Sequence, residues 1–332
     1  MAASTPEARS TTHGGGWRVA WLFVLPALLV FALFYLWPAI NTIVSSLFTW
    51  SILRPWQAHD PATWRYAGLD NYVAVLTEAR FWNAALNTLI WLVVFPLLAT
   101  FLSLLIALLI WEIGRGARLF RTIFVLPMTV SLTAAGVLWA LVFNPQFGVL
   151  SAALGAVGLS GAEVDVGPLH VRLGDWLSNP GSLALGPVTI NLVNLTAILP
   201  AVWALTGFGV ISLTAGLTAI SPELIEAATV EGAGRYRIAR DVVIPQLRGA
   251  LIIVGVVFVI YALRTFDVVW VTTQGGPGTD SEVIAVLLWR KALAFFDTPA
   301  AGEATAIAVL LSAVMVIGAY PYLRSLLREA PG

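Results

Sequence analysis

The chain has 332 residues, of which 59% are hydrophobic and 11% charged, and its formal net charge is zero. That balance excludes an ordinary soluble globule, and it argues against nucleic acid as a partner, which would call for a basic face. Cysteine is absent, which excludes disulfides and cysteine-ligated metal.

Residues 1–16 are polar, rich in Ser and Thr, and read as a disordered cytoplasmic tail. A helix needs about 20 mostly apolar residues to cross a bilayer. Six stretches qualify: 17–48, 83–112, 120–143, 188–219, 249–273 and 305–323. The first lacks a small-residue cleavage site and reads as an uncleaved span rather than a secretory signal. Pro26, Pro38, Pro96, Pro127 and Pro200 lie in or near these stretches, where neighbouring helices can satisfy the freed backbone. The expected fold class is all-α: a polytopic bundle of six transmembrane helices in the lipid bilayer.

Basic residues set the orientation. Arg9, Arg18, Arg115, Arg118, Arg121, Arg235, Arg237, Arg240, Arg248, Arg324 and Arg328 fall on one side of the six-span scheme. Arg54, Arg65, Arg80, Arg172, Arg290 and Lys291 fall on the other. The bias predicts cytoplasmic N- and C-termini and a cytoplasmic loop at 220–248. Trp17, Trp50, Trp82 and Trp270 stand near span ends, as an aromatic belt requires.

Loop 220–248 is the long charged segment between two strongly apolar ones. Ser221 is placed as an N-cap, Pro222 at the first helical position, and Glu223 and Glu226 in the first turn. Ala227 and Ala228 give a face that another surface can approach closely. Gly232 and Gly234 interrupt the helix, and Gly232 is a candidate for positive φ. The pattern predicts a short helix, a glycine bend and a second helix.

Glu226-Ala227-Ala228, two residues, Glu231-Gly232-Ala233, and then Pro245 nineteen residues after Glu226 resemble the EAA loop of binding-protein-dependent ABC importer permeases. Glu231 stands where that loop usually has Asp, Ala239 where it usually has Phe, and Gly249 where a second Pro is common. Further landmarks resemble those of the carbohydrate permeases of the maltose, glycerol-phosphate and α-glucoside type. They are Gly68-Leu69-Asp70-Asn71-Tyr72, Arg80-Phe81-Trp82, Asn87-Thr88, Asn144-Pro145-Gln146-Phe147-Gly148, Trp176 to Pro180, and Thr273-Gln274-Gly275-Gly276-Pro277. The resemblance runs from about residue 21 to 324.

The resemblance implies a type I ABC importer permease fold over 17–332, in a bacterial cytoplasmic membrane. It implies import of a sugar, a di- or oligosaccharide first, delivered by an extracytoplasmic solute-binding protein. The implied partners are a second homologous permease subunit and two ATP-binding subunits. Glu226, Ala227, Ala228, Glu231, Gly232, Ala233 and Pro245 would couple to the ATPase. Phe258, Tyr261, Ala262 and Thr265, with Leu205, Thr206 and Gly209, would lie at pocket-like positions along the substrate path. Arg264 and Asp267, three apart in the fifth span, pair with each other or face the cargo. Glycerol 3-phosphate or another polar solute is the alternative cargo.

The rest of the chain carries no catalytic chemistry. The only lysine, Lys291, is followed by Ala292, so no P-loop exists. His13, His59 and His170 lack metal-ligand spacing. No catalytic residue and no cofactor is expected, ATP being bound by partner subunits. A secondary transporter, the rival reading, calls for inverted repeats or midplane carboxylates that the sequence does not display.

Overall fold

The computed structural model describes residues 16–113, 116–186, 188–294 and 300–329. The tail expected over 1–16 lies outside the described residues apart from Gly16.

The first apolar run forms α1 (Gly16–Phe31) and α2 (Trp37–Ser45), joined by a π turn at Ala32–Leu36. Pro38 offers no N–H to the carbonyl of Phe34, and the helix widens there. Residues 21–40 of this helix are exposed throughout, and burial begins only at its end, at Ser45. After a loop come α3 (Asp70–Thr77) and α4 (Ala79–Ile113), the latter unbroken over 35 residues. The third run is split. α5 (Ala117–Val125) continues into a 3-10 turn at Leu126–Thr129 and meets α6 (Leu132–Val142) at a 100° bend. Pro127 breaks the ladder, and Ser131 restarts it by accepting a hydrogen bond from the backbone N–H of Ala134.

The short α7 (Val149–Ala156) covers most of the apolar, small-residue stretch 150–159. A small sheet between α7 and the fourth apolar run corrects the all-α expectation. β1 (Glu163–Val166), β2 (Leu169–Arg172), β3 (Gly181–Leu185) and β4 (Val188–Asn191) pair antiparallel in sequential order. The residues alternate polar and apolar, as in Glu163-Val164-Asp165-Val166, a period of two that suits a strand with both faces accessible. Gly181 is required in β3: its φ is +107°, and a Cβ would lie 2.0 Å from the His170 carbonyl oxygen. The fourth apolar run therefore begins at α8 (Val193–Thr218) rather than at 188.

Beyond α8 lie α9 (Pro222–Val230), α10 (Arg235–Ile238), a π turn at Ala239–Val243 and α11 (Ile244–Gln246). α12 (Arg248–Leu263) comes next, at a 69° bend from the α10–α11 segment. The fifth run does not stay helical to 273: it breaks at Arg264–Phe266 and resumes as α13 (Asp267–Thr272). α14 (Ile284–Trp289) and α15 (Ala301–Glu329) complete the order. Among the described residues, three helices are long and apolar enough to cross a membrane, or up to five if each bent pair is one span.

The core is the seam between α4 and α8. Trp91 and Phe95 from α4, Ile198 and Leu213 from α8 and Phe258 from α12 are fully buried there. Small residues let the backbones close up, as packing in lipid demands. Gly209 faces Ser103, where a Cβ would sit 2.2 Å from the Ser103 hydroxyl oxygen. That hydroxyl donates across the seam to the Thr206 carbonyl at 3.0 Å.

One end of the bundle is fastened by charge. Glu282 is 1% exposed. Arg80 Nε and Nη2 donate to its two carboxylate oxygens at 2.6 and 2.8 Å. Arg290 Nε lies 2.9 Å from Glu282 Oε1 without aiming its hydrogen there, so that contact is ionic. Asn83 and Asn87 donate to the carbonyls of Thr279 and Glu282, and Asn194 to that of Asp280. Thr88 accepts the Ile284 N–H. Nearby, Lys291 Nζ lies 2.6 Å from both Glu78 and Glu303. Burial pulls its pKa down, but the hydrogen bonds and charges of those carboxylates outweigh it, and the net shift is upward.

Removing one partner of a buried ion pair costs up to about 3–5 kcal/mol, less here to the extent that Arg290 still faces Glu282. Arg80→Ala should therefore lower the thermal unfolding midpoint of the purified chain sharply, measured by the tryptophan fluorescence of the melt. Arg80→Lys, which keeps the charge but not the two-pronged geometry, should lie between.

Candidate functional site

The connection between α8 and α12 has the helix, glycine bend and helix expected of it. Pro222 occupies the first turn of α9, and Ser221 is the N-cap residue by position, although its side chain makes no capping bond. The helix ends in a Schellman motif. Gly232 has φ +81°, its N–H bonds the Thr229 carbonyl, and the Ala233 N–H reaches back to the Ala228 carbonyl, both at 3.0 Å. Nothing lies within 4 Å of where a Gly232 Cβ would be, so conformation, not space, demands glycine. Gly234 then starts α10 in extended backbone. Pro245 lies in α11, next to fully buried Leu247 at the bend into α12. Ala239, which stands where the resemblance usually has Phe, opens the π turn.

α9 has two faces. Ile225 and Ala228 pack against the main core, as does Ala233 beyond the helix. Val230 (88% exposed) and Ala227 lie away from that packed side, and Leu224 (46% exposed) lies on its flank, with Glu223, Glu226 and Glu231 also exposed. Tyr236 on α10 is 79% exposed. An 88% exposed valine beside a row of carboxylates is a surface with nothing of this chain upon it. Behind α9, a cavity of about 430 Å³ separates the loop from Trp111 and Glu112 at the end of α4. Arg235 and Glu112 approach to 3.8 Å there, an exposed pair worth little.

The second feature is the break between α12 and α13. No glycine or proline causes it. The Arg264 N–H still reaches the Ile260 carbonyl, but the Thr265 N–H closes a tighter turn onto Ala262, and Phe266 is too extended to continue the helix. Asp267 then sits in the first turn of α13, where its charge suits the helix dipole. Around the break is a cavity of about 380 Å³ lined by Tyr261, Arg264, Thr265 and Asp267, with Leu132, Val257, Ile260, Phe266 and Val268. Arg264 and Asp267 form no ion pair among the described residues. The pairing reading of these two charges is not realised, which leaves both facing the cavity.

The other path candidates do not line it. Phe258 (0% exposed) and Ala262 (1% exposed) are buried in the core. Gly209 is in the α4–α8 seam, and Leu205 packs on the same core. The Thr206 hydroxyl donates to Val202 in its own helix, beside an apolar cleft between α4, α5 and α8. Sequence reasoning passed over the Arg80–Glu282–Arg290 cluster. The signal was available, because Arg80-Phe81-Trp82 and Asn87-Thr88 are landmarks whose side chains turn out to hold the 279–284 segment.

No family model matches the chain. It is 30% identical over 301 residues to a probable ABC transporter permease protein of Pyrococcus horikoshii, spanning 91% of this chain and 94% of that one. The chain belongs to the ABC transporter permeases. It is 31% identical to the osmoprotective compounds uptake permease protein GgtC of Synechocystis sp., across 89% of this chain and 94% of that protein. It is 30% identical to the alpha-glucoside transport system permease protein AglF of Rhizobium meliloti, across 94% and 83%. A bacterial ABC transporter involved in the import of the acidic polysaccharide alginate has the same fold, with a TM-score of 0.71 at 21% identity over 95% of this chain and 96% of that one. The ABC permease is thus a transport component, as the resemblance of its loop implies.

Alanine at Gly232 should cost about 1 kcal/mol, the price of a left-handed conformation for an L-residue. Proline there removes the N–H bonded to Thr229 as well and should release the end of α9. Hydrogen exchange over residues 228–233 should rise in the order wild type, Gly232→Ala, Gly232→Pro, with the α4 and α8 amides unchanged.

Proposed function

We propose that this permease is one membrane half of a carbohydrate importer whose power stroke enters through α9. The observation that carries the reading is the bare Leu224–Ala227–Val230 face, set on a helix whose other face is fixed to the core and whose end is a glycine bend. Such a helix suits a groove on an ATP-hydrolysing subunit, with Glu226 and Glu231 at the rim. Pro245 and the bend into α12 would pass its movement to the fifth span. ATP binds the partner subunits, two in number, and this chain supplies no nucleotide chemistry.

The cargo is a di- or oligosaccharide presented by an extracytoplasmic solute-binding protein. Tyr261 offers a ring to a sugar face, and Thr265, Arg264 and Asp267 offer hydrogen bonds to hydroxyls, all around one cavity. The alpha-glucoside relative supports this cargo class. Arg264, without an ion-pair partner among the described residues, favours a second reading in which the cargo is anionic, as glycerol 3-phosphate is. The unburied first helix suits contact with lipid or with a second, homologous permease subunit. The same reading counts six spans, each bent pair as one and α15 as the last. It places both termini and α9 in the cytoplasm of a bacterium, with the permease in the cytoplasmic membrane.

Reconstitution with its ATPase, partner permease and binding protein tests the reading. Uptake of a labelled oligosaccharide should require ATP inside the vesicles. Tyr261→Ala should raise the half-saturating concentration roughly three- to tenfold, the scale of one lost aromatic contact. Val230→Asp should abolish stimulation of the ATPase by the loaded binding protein while leaving insertion intact. Uptake by this chain alone, driven by an ion gradient, would overturn the proposal.

A further inference from the structure

The loop between α2 and α3 contains a cavity that neither α9 nor the α12–α13 break explains. Its volume is about 570 Å³, and Arg54, Arg65, Thr49, Ser51, Gln57 and Thr63 are among the residues lining it. Two arginines are among its lining residues, and no Asp or Glu is. Neither arginine forms an ion pair among the described residues. The one carboxylate of the segment, Asp60, is occupied elsewhere, accepting the Ala62 N–H at 3.0 Å. The lining is thus rich in donors and positively charged, the complement of an anion with several acceptor oxygens.

The loop is built rather than loose. The Thr49 N–H donates to the Arg65 carbonyl at 2.8 Å, and Ser51 and Arg54 exchange backbone bonds. The Gln57 N–H donates to Thr63 Oγ1 at 3.0 Å, and Trp64 Nε1 donates to the Gln57 carbonyl at 2.9 Å. Phe48 packs against Trp56, Trp64 and Tyr66 in tilted and edge-on geometries, giving the loop an aromatic base. These braces fix the backbone that carries both arginines.

Position supplies the ligand. The apolar helix Trp21–Ser45 ends four residues before Thr49, and the next long apolar helix begins at Ala79. A loop tied this closely to two membrane-length helices, with tryptophan and tyrosine around it, sits at headgroup depth. The abundant anion at that depth is the lipid phosphate, and the cavity is large enough for a headgroup. We propose that the Arg54–Arg65 cavity binds a phosphate group, carried by a lipid headgroup at the membrane face.

The test uses the full chain, purified in detergent and stripped of lipid. Dioctanoyl phosphatidylglycerol, dioctanoylglycerol without phosphate, and inorganic phosphate are each titrated, with bound species counted by native mass spectrometry. Wild type should hold the phosphatidylglycerol saturably and ignore the phosphate-free lipid. Arg54→Gln/Arg65→Gln should weaken phosphatidylglycerol binding by roughly tenfold or more, since two charge-assisted contacts are lost. Arg54→Lys/Arg65→Lys, which keeps both charges, should retain part of it and guards against a variant that fails to fold. Arginine-dependent binding of inorganic phosphate without a preference for the lipid would support the phosphate site and move its source to a soluble ion. Phosphatidylglycerol binding that is equal in wild type and a folded Gln variant, with no arginine-dependent uptake of inorganic phosphate, would overturn the proposal.

Discussion

Glu282 is a carboxylate enclosed within a protein of the membrane, where an unpaired charge would cost several kcal/mol. The surrounding geometry is a response to that cost. Arg80 stands at the head of α4 and Arg290 just beyond α14, so neutralising Glu282 draws both helices onto one turn. The backbone carbonyls that the turn leaves inside are taken by Asn83, Asn87 and Asn194. Once α4, α8 and α14 are tied at this end, the α4–α8 seam below has a fixed register, and Gly209 can meet Ser103 at a distance no larger residue allows.

Breaks in helices bound both candidate features. In lipid every freed backbone group must find a partner, so a break survives only where tertiary structure satisfies it. The turn at Arg264–Phe266 keeps part of its bonding locally, the Arg264 N–H on Ile260 and the Thr265 N–H on Ala262, and the cavity lined by Tyr261, Arg264, Thr265 and Asp267 lies around it. The bend between α11 and α12 is held by fully buried Leu247, which lies against Gly216 of α8. α9 reaches this bend through a glycine turn, so a push on α9 and a movement of α12 share one backbone. In the proposed reading, the ABC permease joins a surface for a partner to a cavity in its own fifth apolar run by covalent continuity.

Much of this was legible in residues. Pro222, Glu226-Ala227-Ala228 and Gly232 announced α9 and its end because capping and positive φ are local requirements that composition reveals. The landmark residues were legible as a resemblance but not as machinery. Asn71 was one letter in a motif until its amide was seen to donate to the carbonyls of Ser46 and Phe48, locking α3 to the end of α2. Glu163-Val164-Asp165-Val166 alternates as a strand does, while the apolar stretch from Val188 onward reads equally as the start of a span. β-Branched Val188-Thr189-Ile190 fits a strand as well as an apolar helix, and pairing with β3 decides between them.

Sequence alone determined that this is a membrane protein, where its apolar runs lie, and that a charged helix–glycine–helix loop separates the fourth from the fifth. Those conclusions rest on properties summed over neighbours in the chain: hydropathy, charge bias and turn chemistry. Only the tertiary structure decided that Tyr261, Arg264, Thr265 and Asp267 share a cavity while Phe258, Ala262 and Gly209 are packed away. All of them lie on or beside the same long apolar runs, and which face of a helix meets a neighbour is set by partners distant in sequence. The same holds for Glu282, whose buried charge is met by Arg80, about 200 positions earlier in the chain and at 2.6 Å in space, together with Arg290.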